Sequence, residues 1–179
     1  AETLAVAAAV IQQKGHLSKA RFNQLMSERT FGGRIDKLMN SINRWLNSDG
    51  LFFMHVFAHK DNPYYFDANQ NNAWMAKYFF TGGMMPSHNL FKDLKSNLSY
   101  QKSWMLSGTH YEKTSNAWLD KMDLNKTKIL ELFRKKNSNS IAKKKFHFWR
   151  LFFIACAEIF GYDGGSEWVV SHHLFKKSD

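Results

Sequence analysis

Apolar residues at Ile35, Leu38, Met39, Ile42, Trp45 and Leu46 recur three and four positions apart, and the run stops at "NSDG" (Asn47 to Gly50). That spacing predicts an amphipathic helix closed by a turn. "LFFMHVFAH" (Leu51 to His59) follows as a short, nearly continuous apolar run, the pattern of a strand buried on both faces. A stretch rich in Asn, Trp and Tyr leads to "YFFTGGMMPS" (Tyr78 to Ser87), which holds a glycine pair and one of the chain's two prolines. Gly82 and Gly83 permit backbone angles that other residues avoid, and Pro86 fixes φ and removes an N–H donor, so a shaped loop is expected. "LSYQKSWMLSG" (Leu98 to Gly108) is a weaker strand pattern. From Tyr111 to Phe133 the positions Trp118, Leu119, Met122, Ile129, Leu130 and Phe133 predict a helix. Phe146 to Phe160 predicts another, apolar almost all round and therefore buried. "SEWVVSHHLF" (Ser166 to Phe175) follows "GYDGG" and reads as a last strand. The order of elements is α/β, and no internal repeat is present.

Composition narrows the class. The chain has 179 residues, 44% hydrophobic and 16% aromatic, which is material for one well-cored domain. Its one cysteine, Cys156, excludes an internal disulfide and fits a reducing compartment. The longest apolar runs, Leu4 to Ile11 and Leu151 to Ala157, fall short of the ~18 residues of a membrane span. The first has no preceding basic region, so no signal peptide is expected and the cytoplasm is the expected location. The net charge of +10 gathers partly in "RKKNSNSIAKKK" (Arg134 to Lys145). Such a run is expected to be a solvated loop between helices. Without zinc-finger spacing or an RNA-binding signature beside it, a nucleic-acid partner is not expected.

The words "WLNSDGLFFMHVFAHK", "YFFTGGMMPS", "LSGTHYEKTSNAWLDKMD", "FWRLFFIACAEIFGYDGG" and "EWVVSHHLFKK" stand in this order along the chain. The stretch from about Ile35 to Lys177 that carries them resembles the C-terminal half of the coclaurine N-methyltransferase-like proteins. These form a branch of the cyclopropane-fatty-acid synthase family of S-adenosylmethionine-dependent methyltransferases. The resemblance implies an α/β fold, the C-terminal part of a class I, Rossmann-like methyltransferase sheet, with this chain supplying its fifth, sixth and seventh strands and not the N-terminal ones. It divides the chain into an atypical helical N-terminal segment at 1–34 and the C-terminal half of the methyltransferase domain at 35–179. A helical cap insert at about 61–97 is expected to cover the substrate pocket.

The same resemblance supplies site residues. His55, on "FMHVF", aligns with a histidine that in the fatty-acid branch helps hold an active-site bicarbonate, although a lone His on an apolar strand is as readily a core residue. Tyr111, in "GTHYEKT", aligns with a family tyrosine; read alone, it is a buried tyrosine. These two are the expected catalytic residues. Trp149 and Phe152, in "FWRLFF", match aromatics that line the amine pocket, and Phe80 in the cap has similar standing, so these three are expected to bind substrate. His172 and His173 are adjacent on a strand and point to opposite faces, which suits no shared metal, and none is expected.

The implied cofactor is S-adenosylmethionine and the implied acceptor a small amine, whose lone pair must lie in line with the transferred methyl. Two departures temper this. The family holds its cofactor on a glycine-rich turn followed by an acidic residue, and "KGH" (Lys14 to His16) and "FGG" (Phe31 to Gly33) are single glycine features without that setting. The family's Phe-Glu-His motif is replaced by "SERTFGGRIDK". Two alternatives to amine methylation therefore stand beside it, namely lipid modification of the cyclopropane-synthase type and a catalytically inactive remnant serving as a folded or interaction module.

Overall fold

The computed structural model describes residues 6–9, 31–66, 74–80, 83–92 and 96–178. The chain forms two compact units, one of Ala1–Leu106 with Val169–Asp179 and one of Ser107–Trp168.

The first unit contains β1 (Val6–Ala9), α1 (Phe31–Trp45), β2 (Leu51–His59), β3 (Tyr64–Tyr65), α2 (Trp74–Tyr78), β4 (Met84–Met85), β5 (Leu98–Leu106) and most of β6 (Trp168–Lys177). One sheet has the order β1-β2-β6-β5, and β3 pairs with β4 in a second. β5 and β6 are antiparallel from Leu98↔Lys177 to Leu106↔Val170, with an irregularity between Tyr100 and Lys102. β6 also runs opposite to β2, because the Lys177 N–H donates to the Gly50 carbonyl while His172 meets His55.

The helix spacing read from the sequence is realised in α1, whose Ile35, Leu38, Met39 and Ile42, with Leu46 just past its end, pack on Phe52, Met54 and Val56 of β2 and on Phe91, Leu98 and Phe175. Each buried aromatic or branched side chain there contributes roughly 1.5–3 kcal/mol. β2 corrects the reading of a strand buried on both faces. Phe52, Met54, Val56 and Ala58 are buried, whereas Phe53, His55, Phe57 and His59 are only half-buried. A run without polar breaks hides such an alternation, because aromatic and imidazole side chains tolerate either face. The helical N-terminal segment is also revised where it is described. Val6–Ala9 is a strand, antiparallel to β2 from Val6↔Val56 to Ala9↔Phe53. The open N–H and C=O groups of a strand edge outweigh the modest helix preference of alanine. The rest of 10–30 lies outside the described residues.

The second unit is helical: α3 (Thr109–Leu124), α4 (Lys126–Arg134), α5 (Asn139–Gly161) and a 3₁₀ turn (Tyr162–Gly165). The single helix expected over 111–133 is two. Asn125 leaves helical geometry at φ −102° and ψ 18°, and its side-chain amide donates to the Lys121 carbonyl at 2.8 Å. Asn competes with the backbone in this way because its short amide reaches the previous turn. The basic run is a loop only at 135–138. Ser138 caps α5 by accepting from the Ile141 N–H, and Lys143 to Lys145 lie on the helix. α5 buries Phe146, Phe152, Cys156 and Phe160 but leaves the apolar Ile141, Leu151 and Ile154 exposed, so its burial is one-sided and not the full burial expected. Arg150 reaches back to α3 and donates to both carboxylate oxygens of Asp123, at 2.7 and 2.8 Å. No helix among the described residues is long and apolar enough to cross a membrane.

Candidate functional site

In the first unit, alternation along β2 turns His55 to the half-buried face of the sheet. Its Nδ1 lies 2.8 Å from Nε2 of His172 on β6. Phe53 meets the His172 ring edge-on at 5.0 Å, Phe57 lies 5.9 Å from His55, and Trp104 of β5 lies 6.5 Å from Phe53. One imidazole of such a pair donates and the other accepts, so the bond is intact only while the accepting nitrogen is unprotonated. Burial lowers the affinity of His55 for a proton, and burial followed by the charge of His55 lowers that of His172. The pair is therefore neutral at pH 7.

The expected cap insert begins after β2. Its described part is more than helical: β3 and β4 pair through Tyr64↔Met85 and Tyr65↔Met84, with α2 between them in sequence. The aromatic–glycine motif has a local purpose. Phe80 stacks on Phe66 at 4.9 Å and 23°, the Phe66 N–H donates to the Gly83 carbonyl, and the Gly83 N–H donates to the Phe80 carbonyl. A Cβ on Gly83 would stand 3.2 Å from the Phe66 ring and 3.3 Å from the Phe80 carbonyl oxygen, so glycine lets the ring lie on the backbone. Gly82 lies outside the described residues. The far end of the loop joins β2: the His59 N–H donates to the Pro86 carbonyl and the His88 N–H to the His59 carbonyl.

In the second unit, Tyr111 is buried in the first turn of α3, edge-on to Phe160 at 4.8 Å and to Trp118 at 5.8 Å. Burial, reinforced by the nearby Cys156 thiol, raises its proton affinity far above the ordinary phenol value. Tyr111 is therefore a hydroxyl donor at neutral pH and not a base. Trp118, Met122, Ile129, Phe133, Trp149 and Phe153 line an open groove of about 500 Å³, with Lys121 and Asn125 as its polar members. Trp149 is half-buried and packs on Phe152 and Phe153 at 5.6 and 6.0 Å. Phe152 is 1% exposed and stands behind these rings instead of lining the groove.

His55 and Phe80 thus belong to the first unit, and Tyr111, Trp149 and Phe152 to the second. His172 bonds to one of the expected residues, and its pairing was hidden by a separation of 117 positions. Trp118 and Phe133 carry a sequence signal, their helical spacing, which by itself reads as core. His88, Ser171 and His173 form a cluster that no local pattern announces.

The glycines do not form a nucleotide cradle among the described residues. Gly32 and Gly33 sit inside the first turn of α1. Gly108 does stand between β5 and α3, but a Cβ there would overlap the carbonyl oxygens of Trp168 and Phe160, so protein backbone already fills that approach. The described residues do not fit S-adenosylmethionine, and no metal-ligating group of three or more side chains occurs among them.

Over 143 residues the chain is 34% identical to (S)-coclaurine N-methyltransferase of Papaver somniferum, covering 78% of this chain and 41% of that protein. It is 34% identical over 144 residues to the (S)-coclaurine N-methyltransferase of Thalictrum flavum subsp. glaucum, covering 78% and 40%. The chain thus spans about two fifths of the length of these relatives. A crystal structure of coclaurine N-methyltransferase bound to N-methylheliamine and SAH superposes with a TM-score of 0.74 at 33% identity, over 80% of this chain and 44% of that one. A cyclopropane synthase of Mycobacterium tuberculosis shares the fold, with a TM-score of 0.56 at 16% identity, over 82% of this chain and 50% of that one. Residues 21–165 match the family described as mycolic acid cyclopropane synthetase, and to that family the chain belongs.

Proposed function

We propose that this chain provides the acceptor side of an S-adenosylmethionine-dependent N-methyltransferase acting on a small aromatic amine. The observation that carries the reading is the groove of the second unit, walled by Trp118, Trp149, Phe133 and Phe153. Flat aromatic faces hold a ring by stacking and favour an adjoining ammonium by ~0.5–2 kcal/mol per contact. Lys121 in the same wall opposes a fully charged amine, which suits a reaction that needs the nitrogen lone pair free. Trp149 is the binding residue in this reading, with Phe152 fixing its ring from behind, and Phe80, stacked on Phe66, is a separate candidate contact within the first unit. Each unit keeps its own candidate catalytic group in this reading: the neutral His55, paired with His172, in the first, and Tyr111, a hydroxyl donor and not a base, in the second. S-adenosylmethionine supplies the methyl group, and its cradle lies outside the described residues. Coclaurine N-methyltransferases, the relatives at 34% identity, favour an amine over a lipid alkene as acceptor. A reducing, cytoplasmic setting is part of this reading, and the single cysteine, Cys156, buried and free, is compatible with it.

The test fuses this chain to the cofactor half of a coclaurine N-methyltransferase and offers methyl-labelled S-adenosylmethionine with secondary aromatic amines and with unsaturated phospholipid. Label in a tertiary amine supports the reading, and label confined to lipid overturns it.

A further inference from the structure

His88 follows the cap loop and brings its ring to two strands of the sheet. Nδ1 lies 2.5 Å from Ser171 Oγ on β6, and Nε2 lies 3.3 Å from Ser103 Oγ on β5. Ser171 Oγ is also 2.8 Å from Nε2 of His173, whose Nδ1 is buried without a hydrogen-bond partner among the described residues.

These contacts fix the hydrogens. His173 is fully buried against Phe91, Tyr100 and Phe175, where a stranded N–H is disfavoured more than a stranded lone pair. His173 therefore carries its hydrogen on Nε2 and donates it to Ser171. Ser171 donates its own to His88 Nδ1, and His88, with its hydrogen on Nε2, donates to Ser103. Every bond is made with both imidazoles neutral. A second proton on His88 Nδ1 would meet the Ser171 oxygen and turn that hydroxyl hydrogen out, where its other neighbour is already a donor. The cluster has no acceptor for it unless His173 strands an N–H in the core. The charged surroundings act in the same direction. The charge of Lys92 disfavours a proton on both imidazoles and that of His172, on the opposite face of β6, disfavours one on His173, while no carboxylate among the described residues contributes to either. His59 accepts the His88 backbone N–H, and the Tyr100 ring lies against His173.

We propose that His88 is the positioning residue of the cap: while neutral it fastens loop 83–88 to β5 and β6 through Ser103 and Ser171, and on taking a proton it lets the loop go. Its consequence for methyl transfer rests on the reading of the loop as an acceptor cap. The fastening itself belongs to this chain and is measured without any methyl acceptor.

Amide hydrogen exchange on the whole chain, followed by NMR, is the test. The Phe66, His59 and His88 N–H groups report the loop, and the β5–β6 ladder reports the sheet. His88→Ala is expected to speed loop exchange about tenfold while leaving the ladder unchanged. His88→Asn, whose amide oxygen replaces Nδ1 as acceptor, restores most of that protection at about pH 7. After correction for intrinsic rates, wild-type loop exchange rises as the pH falls below the ordinary imidazole value of 6.5, and His88→Asn removes this dependence. A merely structural side chain predicts no such pH dependence. Unchanged loop exchange in His88→Ala, an equal rise in loop and ladder, or a flat wild-type profile overturns the proposal. Should His88→Ala fail to fold, Ser103→Ala removes one anchor only, and a loop-specific rise supports the proposal while none contradicts it. Absence of methyl transfer with loop fastening intact refutes the functional reading alone.

Discussion

Trp149 and Phe152 are neighbours on α5 with ring centroids 5.6 Å apart, yet their truncations should have different costs. Phe152 is 1% exposed, so Phe152→Ala leaves a void in close-packed core and is expected to destabilise by ~3–5 kcal/mol. In a chain of this size that lowers Tm by about 10 °C. Trp149 already presents a face to the groove, so Trp149→Ala removes contacts on one side only and is expected to cost about 1–2 kcal/mol. It also acts on ligand, which Phe152→Ala does not do directly: losing an aromatic contact of ~0.5–2 kcal/mol weakens an aromatic amine by about 2- to 30-fold in Kd. Urea unfolding with an unchanged m-value gives the stability arm, and calorimetric titration with a bicyclic secondary amine gives the other. Equal destabilisation by the two substitutions, with the amine Kd unaltered in Trp149→Ala, would make Trp149 ordinary core and refute the groove as a binding wall.

Three further outcomes are expected. Burial first, and then the positive charge of His88 and Lys92, lowers the pKa of His173 from 6.5 to about 4, so its contribution to stability is present above the unfolded value and lost as pH falls toward the folded one. Unfolding free energy should drop by about 2 kcal/mol between about pH 7 and about pH 5, and a flat profile would contradict the neutral cluster. Gly83→Ala sets a methyl 3.2 Å from the Phe66 ring, and is expected to break the Phe66–Phe80 stack, costing roughly 1–3 kcal/mol and the protection of the Phe66 amide; an unperturbed amide would show that the loop yields freely. S-adenosylmethionine should bind this chain weakly, since Gly108 is filled by backbone and Gly32 and Gly33 are helical. A low-micromolar dissociation constant by calorimetry would locate a cradle that the described residues do not show.

What could be read from the sequence was local and periodic. The spacing of Ile35, Leu38, Met39 and Ile42 carried α1, and β2, β5, β6 and α5 were expected close to where they lie. Asn125 broke a helix that apolar spacing alone had joined, because a side chain bonding to the previous turn leaves no periodic trace. The order of words along the chain carried the family, which the identity to coclaurine N-methyltransferases bears out. The His55–His172 bond and the Ser103–His88–Ser171–His173 cluster were illegible for a different reason. They join strands and a loop far apart in sequence, and strand pairing decides which of two adjacent histidines meets which partner.

The claim at the centre of this account is that the aromatic groove of the helical unit receives an amine. NMR titration of the whole chain with a bicyclic aromatic secondary amine tests it most directly, by the indole N–H signals of Trp118 and Trp149. Saturable shifts of both signals are expected, abolished for the remaining indole by Trp149→Ala and not reproduced by an apolar ring of the same size without nitrogen. Saturable binding that leaves both indoles unmoved, or no binding at all, would contradict it.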